Sequence, residues 1–312
     1  MKNSIAVPIF KQQISANHIM KQIRSLLSIS LCAWAGLITA HAQLVIPSDG
    51  SDGVLDITAS TVIDLSQATT AKWSIDNTAH AGQGVYDPDK WAIVFKYRSV
   101  KIAAGATVTF ANHPSRAPVV WLVAGDVQVD GQINLNGSPG TSGPGTPLSE
   151  PGPGGFRGAA FLDPNTRGGG FGPGGACCYQ DSTGRYSSVY GNPQIIPLIG
   201  GSGSASENQV SSGPGASGAG AILIACSRAL NLGGQITANG GSGPVTSGSG
   251  GAIRLVAATI AGGGALGCLP DGRIRLETPS LSPTLIMSPE TIAVAPSSPP
   301  TIWPPESCPK TP

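Results

Sequence analysis

The sequence predicts an all-β protein: a short right-handed parallel β-helix interrupted by a Gly/Pro-rich irregular insertion. Three observations predict it. The phrase "GQINLNG" at 131–137 returns as "GQITANG" at 234–240, with five of seven letters identical. Three later strands align in columns, Ile222 with Ile253 and Ile274, and Ile224 with Leu255 and Leu276. Ile253 and Ile274 stand 21 residues apart, about one coil of a solenoid in which equal positions stack as ladders. Finally, 44 glycines and 27 prolines spread through 312 residues, with only 11% charged and 5% aromatic side chains, disfavour a helical core. Both residues destabilise helix interiors and suit short strands joined by tight turns.

Residues 1–42 read as a secretory signal peptide. Lys21 and Arg24 precede the apolar run "SLLSISLCAWAGLITA", and "AHA" at 40–42 supplies a small-residue cleavage site before Gln43. Met20 alone would start a compact signal, so the true start is expected there. A membrane anchor is the alternative, but the run is short for a span and ends in small residues. Leu31 before Cys32 does not match a lipoprotein signal. Cleavage removes four of the 18 basic residues and none of the 17 acids, leaving a net charge of −3. That balance leaves no basic stripe for nucleic acid. No later segment is apolar enough to be a transmembrane helix.

Residues 43–90 read as N-terminal capping strands, with short alternating runs broken by Gly and Ser. Residues 91–137 read as the first β-helix coils, rich in Val, Ile, Phe and Tyr, with period-2 stretches such as "TVTF" and "VQVDGQINL". Residues 138–219 hold 21 glycines and 10 prolines in 82 positions, too many to build a separate core. Aromatics punctuate this stretch (Phe156, Phe161, Phe171, Tyr179, Tyr186, Tyr190), so it reads as an insertion packed on the coils. Residues 220–287 read as the later coils, and 288–312 as a Pro-rich extended or disordered tail that Trp303 and Cys308 could pin down.

The repeated phrase then marks one coil corner. Its glycines turn the chain, Ile133/Ile236 and Leu135/Ala238 point inward, and Asn136/Asn239 sits where the strand ends, positioned to bond neighbouring backbone groups. In "PVVWLVA" and "AILIA" both strand faces are apolar. Alternation would leave one wet face on an exposed strand, so these are expected to be buried on both sides, with the Gly-rich insertion as the cover.

Five phrases, "APVVWLVAGDV" (117–127), "EPGPGGFRG" (150–158), "YGNPQIIPLIGGSG" (190–203), "GSGGAIRLVA" (248–257) and "GRIRLE" (272–277), together resemble a group of uncharacterised Gly-rich secreted bacterial proteins with parallel β-helix-like repeats. The resemblance spans most of 44–277. It implies an exported, surface-associated protein, and it carries no catalytic residue. The chain departs from the pattern at Cys177–Cys178 and in its short Pro-rich end.

Candidate sites are few. "GRIRLE" superficially resembles the Arg-Ile-Lys phrase of polygalacturonases, but the paired aspartates and the Gly-His-Gly of that family are absent. Arg254 and Arg275 fall in one outward column, ~4.8 Å apart on successive coils. They would suit the carboxylate or sulfate of an acidic glycan; the plainer reading is a solvated face neutralised by Glu277 or Asp271. Asp49 and Asp52 in "DGSDG", and the loop "YDPDKW", offer clustered oxygens that calcium favours, although Asp-Gly is also ordinary turn chemistry. Calcium is the only cofactor the residues suggest. "HPSRAP" at 113–118 holds a His, a Ser and an Arg, with no orienting acid at a predictable distance for a nucleophile. Export permits disulfides, and Cys177 and Cys178 are expected to tie the insertion to a coil cysteine, Cys226 or Cys268.

The resulting expectation is an exported, non-catalytic structural, adhesive or glycan-binding protein of the cell surface, extracellular space or periplasm, with polysaccharide or cell-envelope components as partners. The alternative is a pectin-lyase-like carbohydrate-active enzyme, lyase or hydrolase, which would need Asp126, Asp130 and Arg254 or Arg275 in one open cleft.

Overall fold

The structure, a computed structural model, describes residues 44–141, 147–161, 168–175, 189–206, 213–243, 246–281, 284–288, 292–294 and 301–303. Its strands are short. They are β1 (Val54–Ile57), β2 (Thr61–Asp64), β3 (Thr69–Thr70), β4 (Val85–Asp87), β5 (Ala92–Tyr97), β6 (Ser99–Ile102), β7 (Thr107–Ala111), β8 (Val119–Val123), β9 (Val127–Val129) and β10 (Gln132–Asn134). After a long interval come β11 (Ala221–Cys226), β12 (Ala229–Leu232), β13 (Gln235–Thr237), β14 (Ala252–Val256), β15 (Thr259–Ala261), β16 (Ala265–Gly267), β17 (Arg273–Glu277), β18 (Ile286–Ser288) and β19 (Ile292–Val294).

The protein is all-β, with three largely parallel sheets. The eight-stranded sheet has the order β19-β17-β14-β11-β8-β5-β4-β3, the five-stranded sheet β1-β6-β9-β12-β15, and the six-stranded sheet β18-β16-β13-β10-β7-β2. Among the described residues only β4 and β5 pair antiparallel. From β5 to β16 the chain visits the eight-, five- and six-stranded sheets in that order, four times over. Val119 pairs with Ile222, Val127 with Leu230, and Ile133 with Ile236. The 103-residue offset of the repeated phrase is therefore the register step from β8, β9 and β10 to their partners β11, β12 and β13, one pair in each sheet.

The core follows from period-2 alternation within this register. Ile93, Val119, Ile222, Ile253 and Ile274 form one inward column, and Phe95, Trp121, Ile224, Leu255 and Leu276 the next. Val100, Val127, Leu230 and Ile260 line the five-stranded sheet, and Val108, Ile133, Ile236 and Leu266 the six-stranded one. Each such side chain contributes roughly 1.5–3 kcal/mol by leaving water. The Asn corner is also as the spacing predicts. Asn136 Oδ1 accepts from the Asn239 amide at 2.7 Å, and Asn239 Oδ1 accepts from the Leu269 amide at 2.8 Å.

The insertion packs as a layer of extended segments outside the sheets, joined backbone to backbone. Phe156 N donates to Gly201 O, Gly201 N to Ala219 O, Gly218 N to Phe156 O, Ala159 N to Ser204 O and Ser204 N to Ala216 O. Glycines at 152, 155 and 158, at 200 and 203, and at 215 and 218 follow a three-residue spacing, the repeat of the polyproline II helix. They allow close approach: a Cβ on Gly218 would lie 1.8 Å from Gly201 O, and one on Gly203 1.9 Å from Arg157 O.

Strands β1 and β2 are end strands of the five- and six-stranded sheets. They pair parallel and in register with β6 and β7, because their alternating residues bury Ile57 and continue the same sheets. The tail adds β19 beside β17, and Trp303 packs 5.8 Å from Trp73. The strands apolar on both faces are indeed buried throughout. Their outer cover, however, comes mostly from elsewhere: Leu44, Ile46, Trp73, Ile302 and Trp303 cluster with Val94, Val120, Leu122, Leu223 and Val256. The insertion contributes Leu198 and Ile195. A glycine-rich backbone has few apolar side chains to offer that face, whereas the two chain-terminal segments supply Leu, Ile and Trp.

Candidate functional site

The residues expected to bind ligand are engaged inside the protein. Arg254 and Arg275 are register partners on β14 and β17, as the column predicts. Arg254 is only 2% exposed. Its Nε donates to Glu277 Oε1 at 2.8 Å, its Nη2 to Thr301 O at 2.6 Å, and Arg275 Nε reaches the same Glu277 oxygen at 2.8 Å. Arg275 Nη1 donates to Pro193 O at 3.2 Å. One buried carboxylate and two backbone carbonyls thus satisfy the pair, and an acidic glycan does not reach Arg254.

Asp49 and Asp52 are likewise committed. Asp52 Oδ1 accepts from Asn77 Nδ2 (2.7 Å) and from the amides of Gly82 (3.0 Å) and Gly84 (3.3 Å), and its Oδ2 accepts from the Lys96 amide (2.7 Å). Asp49 pairs with the Nζ of the buried Lys96 at 2.6 Å. Burial raises the Asp49 carboxyl, but hydrogen bonds from Lys96 and Ser51 outweigh it and leave the pKa lowered. These oxygens accept from backbone amides, an asparagine amide and the Lys96 ammonium. In "YDPDKW", Asp87 accepts from the amides of Trp73 and Asp89. Among the described residues no three His, Cys, Asp or Glu side chains converge as a metal site. Among the described residues Cys226 and Cys268 are free thiols buried in the core. Cys177 and Cys178 lie outside the described residues.

Asp126 and Asp130 flank β9 in the five-stranded sheet, where Asp126 Oδ1 accepts from the Ala229 amide and Asp130 Oδ1 from Gln128 Nε2. Arg254 and Arg275 belong to the eight-stranded sheet, so these acids and arginines do not share a cleft. In "HPSRAP", His113 Nδ1 lies 2.7 Å from Ser115 Oγ and also accepts from the Ser115 amide. Burial lowers the His113 pKa, and its ring packs on Tyr86 at 4.4 Å. This is a local turn, with the hydroxyl and the amide both serving one ring nitrogen.

Backbone strain at non-glycine residues marks two of the clefts. Among the described residues, Trp91 (φ 46°), Arg116 (φ 50°), Ile195 (φ 53°) and Asp271 (φ 57°) are the non-glycine residues with positive φ. Such conformations cost roughly 1–3 kcal/mol and cluster at functional sites. Ile195 and Asp271 line a cleft of about 300 Å³ with Tyr190, Asn192 and Arg273. Its polar groups face their own backbone: Arg273 donates to Tyr190 O, Tyr190 to Gly200 O, and Asn192 Nδ2 to Ile196 O.

Trp91 and Arg116 line the other cleft, about 320 Å³, with Ser115, Leu148, Gly155, Phe156, Arg157 and Phe171. Its geometry is built by three stretches. Trp91 follows the Asp87–Lys90 turn, and its Nε1 donates to Ser115 O at 3.1 Å. Arg116 is fixed by its amide to His113 O and by its carbonyl, which accepts from the Gly154 amide, both at 2.8 Å. Phe156 and Phe171 come from the Gly-rich layer. The Trp91 and Phe156 ring centroids are 6.4 Å apart, and Phe171 is 54% exposed. Glu150 accepts from Arg157 Nε (2.9 Å) and Nη2 (2.5 Å), from Arg116 Nε (3.4 Å) and from Asn112 Nδ2 (3.1 Å). Burial raises the Glu150 carboxyl, but the Arg157 and Asn112 bonds and the two arginine charges outweigh it, so its pKa is lowered and it stays ionised.

Sequence reasoning singled out each of these stretches for other reasons: "YDPDKW" for calcium, "HPSRAP" for a nucleophile, "EPGPGGFRG" for the family resemblance. The available signal was an aromatic beside an arginine in a glycine run, "GFRG", and a second arginine in the "SRAP" turn.

No protein-family model, no curated protein and no solved structure matches this chain. Among the described residues no helix is long and apolar enough to cross a membrane.

Proposed function

We propose that this chain is an exported, non-catalytic protein of the cell surface or extracellular space that binds glycan in the cleft of Trp91, Phe156, Phe171, Arg116 and Arg157. In this reading its body is a short right-handed parallel β-helix, and it belongs with the Gly-rich secreted bacterial proteins it resembles. The fourfold visit to three sheets in one order, with parallel pairing between successive passes, supports the coil stack. The observation that carries the binding reading is the cleft itself: aromatic rings and arginines on a frame strained at two non-glycine residues. Small-ligand sites combine apolar and aromatic walls with a few placed polar groups. Rings offer flat apolar area to a sugar face, and guanidinium groups offer fixed donors to its oxygens.

The test is a glycan array probed with the purified protein, with product release measured in the same wells. Binding without new reducing ends or unsaturated products is expected, and Trp91→Ala should abolish it. Product release would replace this reading with a carbohydrate-active enzyme. Silence against all glycans would leave a structural envelope role.

A further inference from the structure

We propose that the ligand of this cleft is an anionic sugar, a hexuronate unit whose ring lies on the aromatic wall and whose carboxylate is taken by Arg116 and Arg157. This rests on the glycan reading above and narrows it by charge. Among the described residues, two guanidinium groups face one carboxylate, Glu150, which leaves one positive charge in excess at the cleft. Each guanidinium has five N–H donors in a planar fork. Glu150 takes one from Arg116 and two from Arg157. Both arginine side chains remain about one-third exposed, at 34% and 36%, so the unused donors are open to a ligand.

Glu150 also does the positioning. Bonded to both arginines and to Asn112, it holds the two forks at one wall of the cleft. A planar carboxylate matches such forks bidentately, which a neutral hydroxyl cannot do. The buried Arg254 differs in that its own carboxylate and carbonyl partners enclose it. A volume of about 320 Å³ lies at the small end of ligand sites, so the cleft takes a short stretch of polymer, not a long chain.

The experiment compares binding to immobilised polygalacturonate, to its fully methyl-esterified form, to neutral dextran and to dextran sulfate, at low and moderate salt. Polygalacturonate should bind at least tenfold more tightly than its ester, since a guanidinium bonds an ionised carboxylate more strongly than a neutral ester oxygen. Arg157→Ala should remove that preference, and Arg157→Lys should restore only part of it because the fork is lost. Phe171→Ala, at an exposed side chain, should weaken acid and ester alike and serves as the variant with least risk to folding. Equal binding of acid and ester would overturn the anionic-sugar inference and leave the glycan reading standing. Preference for dextran sulfate alone would overturn the carboxylate assignment. Polygalacturonate binding that survives Arg116→Ala and Arg157→Ala would place the site elsewhere, and no binding to any polymer would overturn both readings.

Discussion

Adding one methyl group at Gly218 tests whether the Gly-rich layer is held by backbone contact. Gly218 is buried, and a Cβ there would lie 1.8 Å from Gly201 O, 2.2 Å from Gly201 C and 2.8 Å from Ser202 N. All three are backbone atoms, so no side chain can rotate away. Contacts under 3.0 Å are not tolerated, and the two segments must part by more than an ångström. That displacement breaks Gly218 N to Phe156 O (2.9 Å), Gly201 N to Ala219 O (2.8 Å) and Phe156 N to Gly201 O (3.0 Å), since alignment at such distances no longer makes a hydrogen bond. Two or three lost bonds, with their buried groups left unpaired, amount to about 3–5 kcal/mol. Gly218→Ala should therefore lower the urea midpoint sharply, and it should also impair the cleft, because Phe156 sits on the displaced segment. Gly263 is the control. It is exposed, has nothing within 4 Å of its Cβ position, and is not in the left-handed region. Gly263→Ala should be neutral or stabilise by up to ~1 kcal/mol through the unfolded chain. If Gly218→Ala unfolds within about 0.5 kcal/mol of the parent, the layer is not held by close backbone approach.

Glu277→Ala should destabilise by about 3–5 kcal/mol in chemical denaturation, because it strands the buried Arg254 guanidinium; combining it with Arg254→Met should recover most of that loss. Burial pushes the Cys226 thiol up to about 12 and raises that of Cys268 as well. Peptide mapping after alkylation at pH 8 should therefore find both unmodified in the folded protein and modified only in denaturant. Prompt labelling of either one in the native state would contradict the buried-thiol geometry.

The sequence by itself determined the rungs. Columns such as Ile222–Ile253–Ile274, and the 103-residue step from Ile133 to Ile236, were legible because strand side chains alternate with period 2 and stacked strands must match their apolar positions. The Asn136–Asn239 ladder was legible for the same reason, since its partners share a column. It also offered Glu277 or Asp271 as neutraliser of the arginine column, and it is Glu277 that holds both arginines. What covers the outer face of the eight-stranded sheet was not legible. Leu44, Trp73 and Trp303 lie far apart in the chain, and no local period relates them. Nor was the fate of Asp52, whose oxygens meet amides from residues 82, 84 and 96. The cleft itself is a product of tertiary structure. Trp91, Arg116 and Arg157 come from three separate stretches, and only the lateral hydrogen bonding of glycine segments brings Phe156 and Phe171 against them. Short-range pattern sets which residues face inward, but the convergence of distant loops depends on backbone contacts that leave no periodic trace in a glycine-rich sequence.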